Sequence, residues 1–154
     1  MANNEEIIKS LEAKLKGAVH NFVAPRERRI FAETSVAKIV EVTQWLREWG
    51  MVNLAMITGL DSGENFEVIY HFYDVPGLLF NLKIFTPKSN PKIPSVTSVF
   101  PGVFLYEREL MDLFGIMVEG IPPGRRYPLP DNWPEGQYPL RKDWKGLPKE
   151  TEVK

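Results

Sequence analysis

The chain has no cysteine and only two histidines, His20 and His71. The lack of cysteine excludes disulfides, iron–sulfur ligation by this chain and any cysteine-based zinc site. Two histidines are too few soft ligands for a transition-metal site built by one chain. We therefore expect no metal centre built by this chain alone.

An excess of one charge is also lacking, since 19 Lys and Arg face 20 Asp and Glu, a net charge of -1. Such a chain has no general attraction to nucleic acid or to an acidic membrane. No stretch reaches the ~20 apolar residues of a membrane span. The start, M-A-N-N-E-E, lacks the parts of a signal peptide. These absences favour an intracellular protein without a membrane segment of its own.

The patterning up to residue 120 predicts one two-layer α+β domain. Helical spacing of apolar residues predicts a first helix over 4–16, with Asn4 as its cap. The same spacing predicts a second helix from Thr34 or Ser35 to Trp49. Alternating patterns predict three strands joined by the turns D-S-G-E and P-G, an antiparallel meander with helices on one face. The ranges of these strands are 51–58, 65–74 and 78–86, and two shorter strands are predicted over 19–24 and 29–32.

The segment 121–154 differs in composition from the domain 1–120. It is rich in proline, which suits neither a helix interior nor a central strand. Its aromatic residues argue against a disordered linker. We expect an extended arm laid over a surface, which could belong to its own domain or to a partner. Because Trp and Arg dominate interface energetics, packing on a partner subunit is preferred. The residues predicted to form this interface are Tyr127, Trp133, Tyr138, Leu140, Arg141, Lys142, Asp143 and Trp144.

The densest charge cluster lies within Y-E-R-E-L-M-D-L-F-G-I, residues 106–116, which reads as a helix ending at Gly115. On a helical wheel Arg108, Glu109 and Asp112 share one face, while Glu107 lies in the apolar stripe. A buried carboxylate needs a partner. The sequence predicts an ion pair of Glu107 with one of the downstream arginines, Arg125, Arg126 or Arg141.

Two other functions remain as alternatives. Glu107 and Glu109 could be the acid–base pair of a stand-alone enzyme, but the wheel separates them by about 160°, and no nucleophile or phosphate loop accompanies them. Arg125 and Arg126 with Tyr127 could contact nucleic acid, although nearby acids outnumber them. A strand histidine such as His71 is more often structural than catalytic. A binding or scaffold role is preferred.

Several of these motifs resemble a known family. E-R-E-L-M-D-L-F-G-I at 107–116, R-R at 125–126 and P-L-R-K-D-W at 139–144 resemble the 30 kDa subunit family of respiratory complex I. That family includes the equivalent subunits of membrane-bound [NiFe] hydrogenases and related ion-pumping complexes. F-E-V-I-Y-H-F at 66–72 and F-P-G-V at 100–103 follow the same order. The resemblance covers roughly residues 50 to 144.

The resemblance implies a cofactor-less scaffold subunit of a membrane-bound, ion-translocating oxidoreductase. Such subunits pack against the large subunit, which is 49 kDa-like or the [NiFe]-hydrogenase large subunit, near the small iron–sulfur subunit. Iron–sulfur clusters, and NiFe where present, belong to those partners, and the membrane-arm subunits are reached only indirectly. The implied location is the cytoplasmic face of the cell membrane, held there through the complex.

One stretch departs from the family pattern. The family usually reads G-H-P-D-L-R-R where this chain has G-I-P-P-G-R-R, so Ile121 replaces a histidine and Pro123 an aspartate. A role of that histidine therefore does not transfer to this chain. The tail resembles hydrogenase-type relatives more than quinone-linked ones. The alternatives are a subunit of an NADH or ferredoxin:quinone oxidoreductase, or of a sulfur-reducing relative.

Overall fold

A computed structural model of the chain describes residues 3–15, 17–73 and 77–147. The three helices are α1 (Asn4–Leu15), α2 (Ile39–Trp49) and α3 (Phe104–Phe114), with 3₁₀ turns at Val36–Lys38 and Pro101–Val103. The strands are β1 (Val19–Arg26), β2 (Arg29–Thr34), β3 (Asn53–Asp61), β4 (Asn65–Tyr73), β5 (Leu79–Pro87), β6 (Lys92–Pro94) and β7 (Met117–Glu119). No described helix is long and apolar enough to cross a membrane.

Strands β1 to β5 form one sheet in the order β1-β2-β5-β4-β3. The predicted antiparallel meander is present as β3, β4 and β5. Strand β2, however, pairs with β5 in parallel, which the sequence did not predict. A parallel pair needs a long crossover. Here α2, β3 and β4 all lie between the two strands, so the pairing has no local signal.

The core lies between one face of this sheet and the helices. In β4 the predicted inward set, Phe66, Val68, Tyr70 and Phe72, is completely buried. These residues join the buried side chains of all three helices in a single cluster. The residues between them in β4 are half-buried or exposed. The structure is therefore the predicted two-layer α+β arrangement with helices on one face.

Two helix starts differ from prediction. Helix α2 begins at Ile39 after the 3₁₀ turn, and Ser35, a predicted cap, makes no side-chain cap bond. Helix α1 is capped by Asn3 and not by Asn4, because Asn3 Oδ1 accepts the Glu6 N–H at 2.9 Å and Glu6 Oε2 accepts the Asn3 N–H at 3.1 Å. Asn4 instead bonds the β1–β2 turn through Arg26 O and the Arg28 N–H. Predicted positions Lys16, Asp74 and Pro76 lie outside the described residues.

Beyond β7 the chain runs as an extended arm. Residues 121–147 contain no helix or strand in the part of the chain that the structure describes. We call these residues the arm. It crosses helix α3 and returns to the β3–β4 turn, where its contacts form the site described next.

Candidate functional site

Helix α3 begins directly after the 3₁₀ turn at Pro101–Val103. The helix ends at Gly115. Gly115 has φ +69° and its N–H returns to carbonyls of the last turn, the left-handed helix end that glycine favours. The charged motif therefore lies on one short, well-terminated helix. One side of it faces the sheet and the other meets the arm.

Glu107 is completely buried, as predicted, but within the part of the chain that the structure describes it forms no ion pair. Its Oε1 accepts the Val96 N–H and its Oε2 accepts the Ser95 hydroxyl, each at 2.7 Å. Among the described residues, the salt bridges of Arg125 and Arg126 go to other carboxylates. The predicted ion pair of Glu107 was therefore wrong. Two hydrogen bonds from the β6–α3 connection satisfy this carboxylate instead.

Burial raises the pKa of Glu107, although the bonds from Val96 and Ser95 act in the opposite direction. Tyr70 lies near it on β4, and burial together with the Glu107 charge raises the pKa of that phenol too. The Tyr70 hydroxyl is buried with no hydrogen-bond partner among the described residues. This environment holds Glu107 as a structural group inside the domain.

Arg108 lies on the arm side of α3 and fixes the first part of the arm. Its Nη1 donates to Arg125 O at 2.7 Å and its Nη2 to Pro122 O at 2.5 Å. A Cβ on Gly124 would collide with the Arg108 guanidinium. Glycine at that position lets the backbone pass over the arginine. Arg108 therefore holds the arm through two of its backbone carbonyls.

Asp112, one helical turn further, holds the next part. Its Oδ1 accepts Arg126 Nε at 2.9 Å and its Oδ2 accepts the Leu129 N–H at 3.1 Å. Arg126 also donates from Nη1 to Trp133 O at 2.8 Å. The Asp112 and Arg126 side chains are 11% and 24% exposed. This half-buried pair joins three separate points of the arm to the helix.

Arg141 closes over the end of α3. Its Nε donates to Phe114 O at 2.6 Å, which satisfies a carbonyl left open at the helix end. The guanidinium lies 4.5 Å from the Tyr138 ring centroid and 5.2 Å from that of Phe66. A Cβ on Gly115 would lie 2.5 Å from the Tyr138 ring. Gly115 is therefore required twice, for its left-handed backbone and for its missing side chain.

The last described part of the arm reaches the β3–β4 turn at Asp61. Asp61 Oδ2 accepts the Lys142 N–H at 2.8 Å and Lys88 Nζ at 2.7 Å, and Oδ1 accepts the Gly63 N–H at 2.9 Å. Lys88 also lies 3.0 Å from Asp143 Oδ1. Burial alone would raise the pKa of Asp61, but these donors outweigh it and lower the pKa to about 2.

Asp61 and Lys88 were not among the site residues predicted from the sequence. Only the turn D-S-G-E gave a local signal, since the bond from Asp61 to the Gly63 N–H is the turn that such residues form. The contact with Lys142 spans 81 residues. No spacing rule reaches that far.

The two arm tryptophans predicted at the interface hold the arm's own shape. Trp133 Nε1 donates to Gln137 O at 2.8 Å, and Trp144 Nε1 donates to Gln137 Oε1 at 3.0 Å. Their ring centroids are 6.3 Å apart. Both side chains are half-buried within this chain. This chain therefore covers part of each tryptophan and leaves the rest exposed.

Glu109 stands apart from these contacts. It is half-buried, and no hydrogen bond or ion pair of its carboxylate is found among the described residues. Glu107 is enclosed and shares no partner with it, so the geometry gives the acid–base alternative no common pocket. No cluster of metal-ligating side chains exists within the described ranges.

Comparison with known proteins identifies the family. Residues 32–150 match the family described as "Respiratory-chain NADH dehydrogenase, 30 Kd subunit". The chain belongs to this family. The match runs from within β2 into the arm, and so includes every contact of the site described in this subsection.

Relatives of this subunit occur in several kinds of complex. The chain is 35% identical over 127 residues to "Membrane-bound hydrogenase subunit beta" of Pyrococcus furiosus, covering 79% of this chain and 73% of the relative. It is 35% identical over 150 residues to a subunit of the F(420)H(2) dehydrogenase of Methanosarcina mazei, covering 94% of this chain and 94% of the relative. The family resemblance inferred from the motifs is confirmed.

Solved structures share the fold. A chain in the structure of the membrane-bound sulfane sulfur reductase, an archaeal respiratory membrane complex, superposes with a TM-score of 0.83 and 28% identity over 93% of this chain and 86% of that chain. The trypsin-resistant fragment of Nqo5 gives 0.66 at 26% identity, over 78% of this chain and 98% of that chain. The predictions of an α+β fold and of a subunit of a multi-subunit oxidoreductase are confirmed.

Proposed function

We propose that this subunit is a cofactor-less scaffold that binds the large subunit of a membrane-bound, ion-translocating oxidoreductase through α3 and the arm. The observation that carries the proposal is that the chain docks its own arm. Arg108, Asp112 and Asp61 each hold the arm backbone, and Arg141 of the arm bonds the Phe114 carbonyl at the end of α3. An arm fixed in this way presents a defined surface, which reduces the ordering cost of binding.

The docked arm leaves apolar side chains exposed beside the helix. Two of the predicted interface residues, Tyr127 and Leu140, are 43% and 51% exposed. Phe104 and Leu105 of α3 line one cleft together with Tyr127. Leu147 lines a second groove with Tyr138 and Trp144. Exposed apolar groups with arginines nearby have the composition of a binding surface.

The other predicted interface residues act first within the chain. The side chains of Trp133, Tyr138, Arg141, Asp143 and Trp144 all have intramolecular partners. Lys142 is anchored through its backbone. We propose that these residues shape the interface and that the exposed apolar group makes most of the contact. The division into 1–120 and 121–154 is then functional, a folded base and a binding arm.

The complex type proposed is hydrogenase-like. The support is the likeness to the hydrogenase subunit beta of Pyrococcus furiosus. Ile121, where the family usually has histidine, packs against the hydrophobic core. An apolar role thus replaces a polar one at that position. The iron–sulfur clusters, and NiFe if present, would belong to the large and small partner subunits on the cytoplasmic face of the membrane.

A gentle detergent purification through a tag on this chain, from native membranes, tests the proposal. Mass spectrometry should find a large subunit, an iron–sulfur subunit and membrane subunits, and metal analysis should find nickel. Nickel absent from an otherwise complete complex would favour a quinone or sulfur reductase. A tagged Tyr127→Ala, Leu140→Ala chain should recover less of the large subunit. Recovery of the wild-type chain alone would contradict the scaffold role.

A further inference from the structure

The sheet face opposite the helices is open. In β4 this face carries Glu67, Ile69, His71 and Tyr73, which alternate with the buried core residues. The helices and the core cluster lie on the other side of the sheet. An antiparallel sheet with one solvated face normally alternates apolar inward with polar outward. The open face of this sheet departs from that pattern.

Apolar side chains extend across it. Five of them are exposed, namely Val23 at 57%, Met56 at 46%, Tyr73 at 44%, Leu60 at 42% and Phe85 at 41%. Half-buried Phe31 and Ile69 lie between them. The strand register places Val23, Phe31, Asn81, His71 and Met56 opposite one another in a row that crosses all five strands. We call this surface the open face.

The charges at the centre of the open face are already paired, while Arg26 and Arg29 lie opposite each other at one end of it. Lys83 Nζ lies 3.0 Å from Glu67 Oε1, and it also lies 5.7 Å from the Phe31 ring centroid. The Lys83 and Glu67 side chains are only 26% and 17% exposed. Glu33, the next carboxylate, accepts Asn21 Nδ2 at 2.7 Å. A surface that covers this centre would therefore not need to supply charges of its own.

The central polar groups are satisfied in the same way. His71 Nδ1 lies 2.7 Å from Asn81 Oδ1, and His71 Nε2 lies 2.9 Å from Thr58 Oγ1. Asn81 Nδ2 donates to Ile30 O at 3.1 Å. This chain of bonds runs across β3, β4, β5 and β2 within the sheet. Covering the row would leave no orphaned polar side chain in it, so desolvation carries little penalty.

The size of the face indicates what kind of partner fits. Five strands about 4.8 Å apart span roughly 19 Å, and residues 79 to 85 of β5 span about 20 Å. The flat footprint of the face is therefore roughly 400 Å². A standard interface buries ~800 Å² of accessible surface on each partner, so this face by itself lies at the low end of interface sizes. It suits a neighbour that is also held by other contacts in the same complex.

We propose that the open face is a second docking surface of this subunit. Its occupant is an uncharged, apolar surface of another protein subunit, distinct from the one that binds the arm. The inference rests on the proposed function only in that this chain must belong to a larger assembly. The subunit then bridges two neighbours, with the arm on one and the sheet on the other.

Hydroxyl-radical footprinting of the free chain and of the complex purified through its tag tests this without a variant. We expect the oxidation rates of Met56 and Phe85 to fall about tenfold in the complex. Equal rates in the two samples would overturn the proposal. Protection of Tyr127 without protection of Met56 would reject the open face but keep the arm interface. Protection of neither would reject both.

A variant pair gives the second arm of the test. Met56→Glu, Phe85→Glu places two unpaired charges on the open face, and Val52→Glu, Met117→Glu places two at exposed apolar positions outside it. We expect the first chain to keep the arm-bound large subunit but to lose another subunit at least tenfold, and the second to lose neither. Full recovery with the first chain would contradict the proposal. Sedimentation equilibrium of the free chain gives a further check. A dimer of the wild-type chain that only the first variant abolishes would also contradict the proposal.

Discussion

The backbone N–H of Lys142 donates to Asp61 Oδ2 at 2.8 Å, across 81 residues of sequence. Asp61 ends β3, and Lys142 lies near the end of the described arm. Because the same carboxylate also accepts Lys88 and the Gly63 N–H, it connects the β3–β4 turn, β5's far end and the arm. The arm is therefore part of the domain's hydrogen-bonding network before any partner binds.

Replacing Asp61 should loosen this junction. Asp61→Asn removes the charge that binds Lys88 and one of the acceptors, so we expect a loss of about 1–3 kcal/mol in the free energy of unfolding at pH 7. Urea unfolding of both chains measures it. Asp143→Asn is the matched control, because the Asp143 side chain is 66% exposed and should change stability little. Equal effects of the two substitutions would contradict the account.

The same site predicts a pH dependence. Folding lowers the pKa of Asp61 from its ordinary value of 3.8 to about 2. The unfolded chain thus binds the proton more readily, and the contribution of Asp61 is complete above the ordinary pKa and lost as the pH falls toward 2. The stability difference between wild type and Asp61→Asn should shrink over that range. A difference that persists unchanged at pH 2 would disprove the assignment.

Substitutions of Glu107 distinguish a hydrogen-bonded carboxyl group from an ion pair. Gln can keep an acceptor for the Val96 N–H and meet the Ser95 hydroxyl, while Ala leaves both groups unsatisfied and opens a cavity. We expect Glu107→Ala to cost about 2–4 kcal/mol. Glu107→Gln should cost less than Glu107→Ala. Because folding raises the pKa of Glu107 above its ordinary value of 4.5, wild-type stability falls as the pH rises from that value, so Gln should gain relative to wild type over that range.

Thermal unfolding of the three chains between pH 5 and 8 provides the test. A large loss with Gln at every pH would show that the fold requires the charge of Glu107, and would contradict the account. A Gln chain that loses stability relative to wild type as the pH rises would contradict the direction of the pKa shift.

The Asp112–Arg126 pair should contribute more to the free energy of unfolding than the exposed Arg125–Asp131 pair beside it. Asp112→Asn removes the charged acceptor of Arg126 Nε and weakens the bond from Leu129, at an expected cost of about 1–3 kcal/mol. Arg125→Ala is the control, because Arg125 and Asp131 are 85% and 66% exposed. Unfolding in guanidinium chloride, monitored by Trp fluorescence, should give the two variants different midpoints, since the backbone carbonyl of Trp133 accepts a bond from Arg126. Equal midpoints would contradict this.

Gly115 should tolerate no side chain. Gly115→Ala puts a Cβ within 2.5 Å of the Tyr138 ring at a φ of +69°. We expect a loss of at least about 1 kcal/mol from the backbone conformation alone, with further loss as Tyr138 and Arg141 move. Gly102→Ala meets nothing within 4 Å and has no positive φ, so it is the matched control. Differential scanning calorimetry compares them, and equal melting temperatures would count against the packing.

Periodicity predicted the elements that pack by one face. The alternation of Phe66, Val68, Tyr70 and Phe72 correctly gave a half-buried strand, and the helical wheel correctly buried Glu107. The partners of Glu107 were missed because they are a backbone amide and a hydroxyl at Ser95 and Val96, which no charge pattern indicates. The wheel also grouped Arg108 with Asp112, but it could not show that each holds a different part of the arm.

Long-range contacts were beyond the sequence for a physical reason. The parallel β2–β5 pairing and the Asp61–Lys142 bond depend on where distant segments meet, and one chain carries no local trace of that. The family motifs did connect α3 with the arm. Their ion-pair interpretation was too narrow, since most of the arm is held through backbone groups.

Hydrogen–deuterium exchange of the isolated chain tests the central claim most directly. If the domain docks its own arm, the amides of Leu129, Leu140 and Lys142 should be protected at least about tenfold, because they bond Asp112, Leu113 and Asp61. In the Asp61→Asn chain the Lys142 amide should lose protection first. Free exchange of all three amides in the wild-type chain would show that the arm is ordered only by a partner, and would contradict the account.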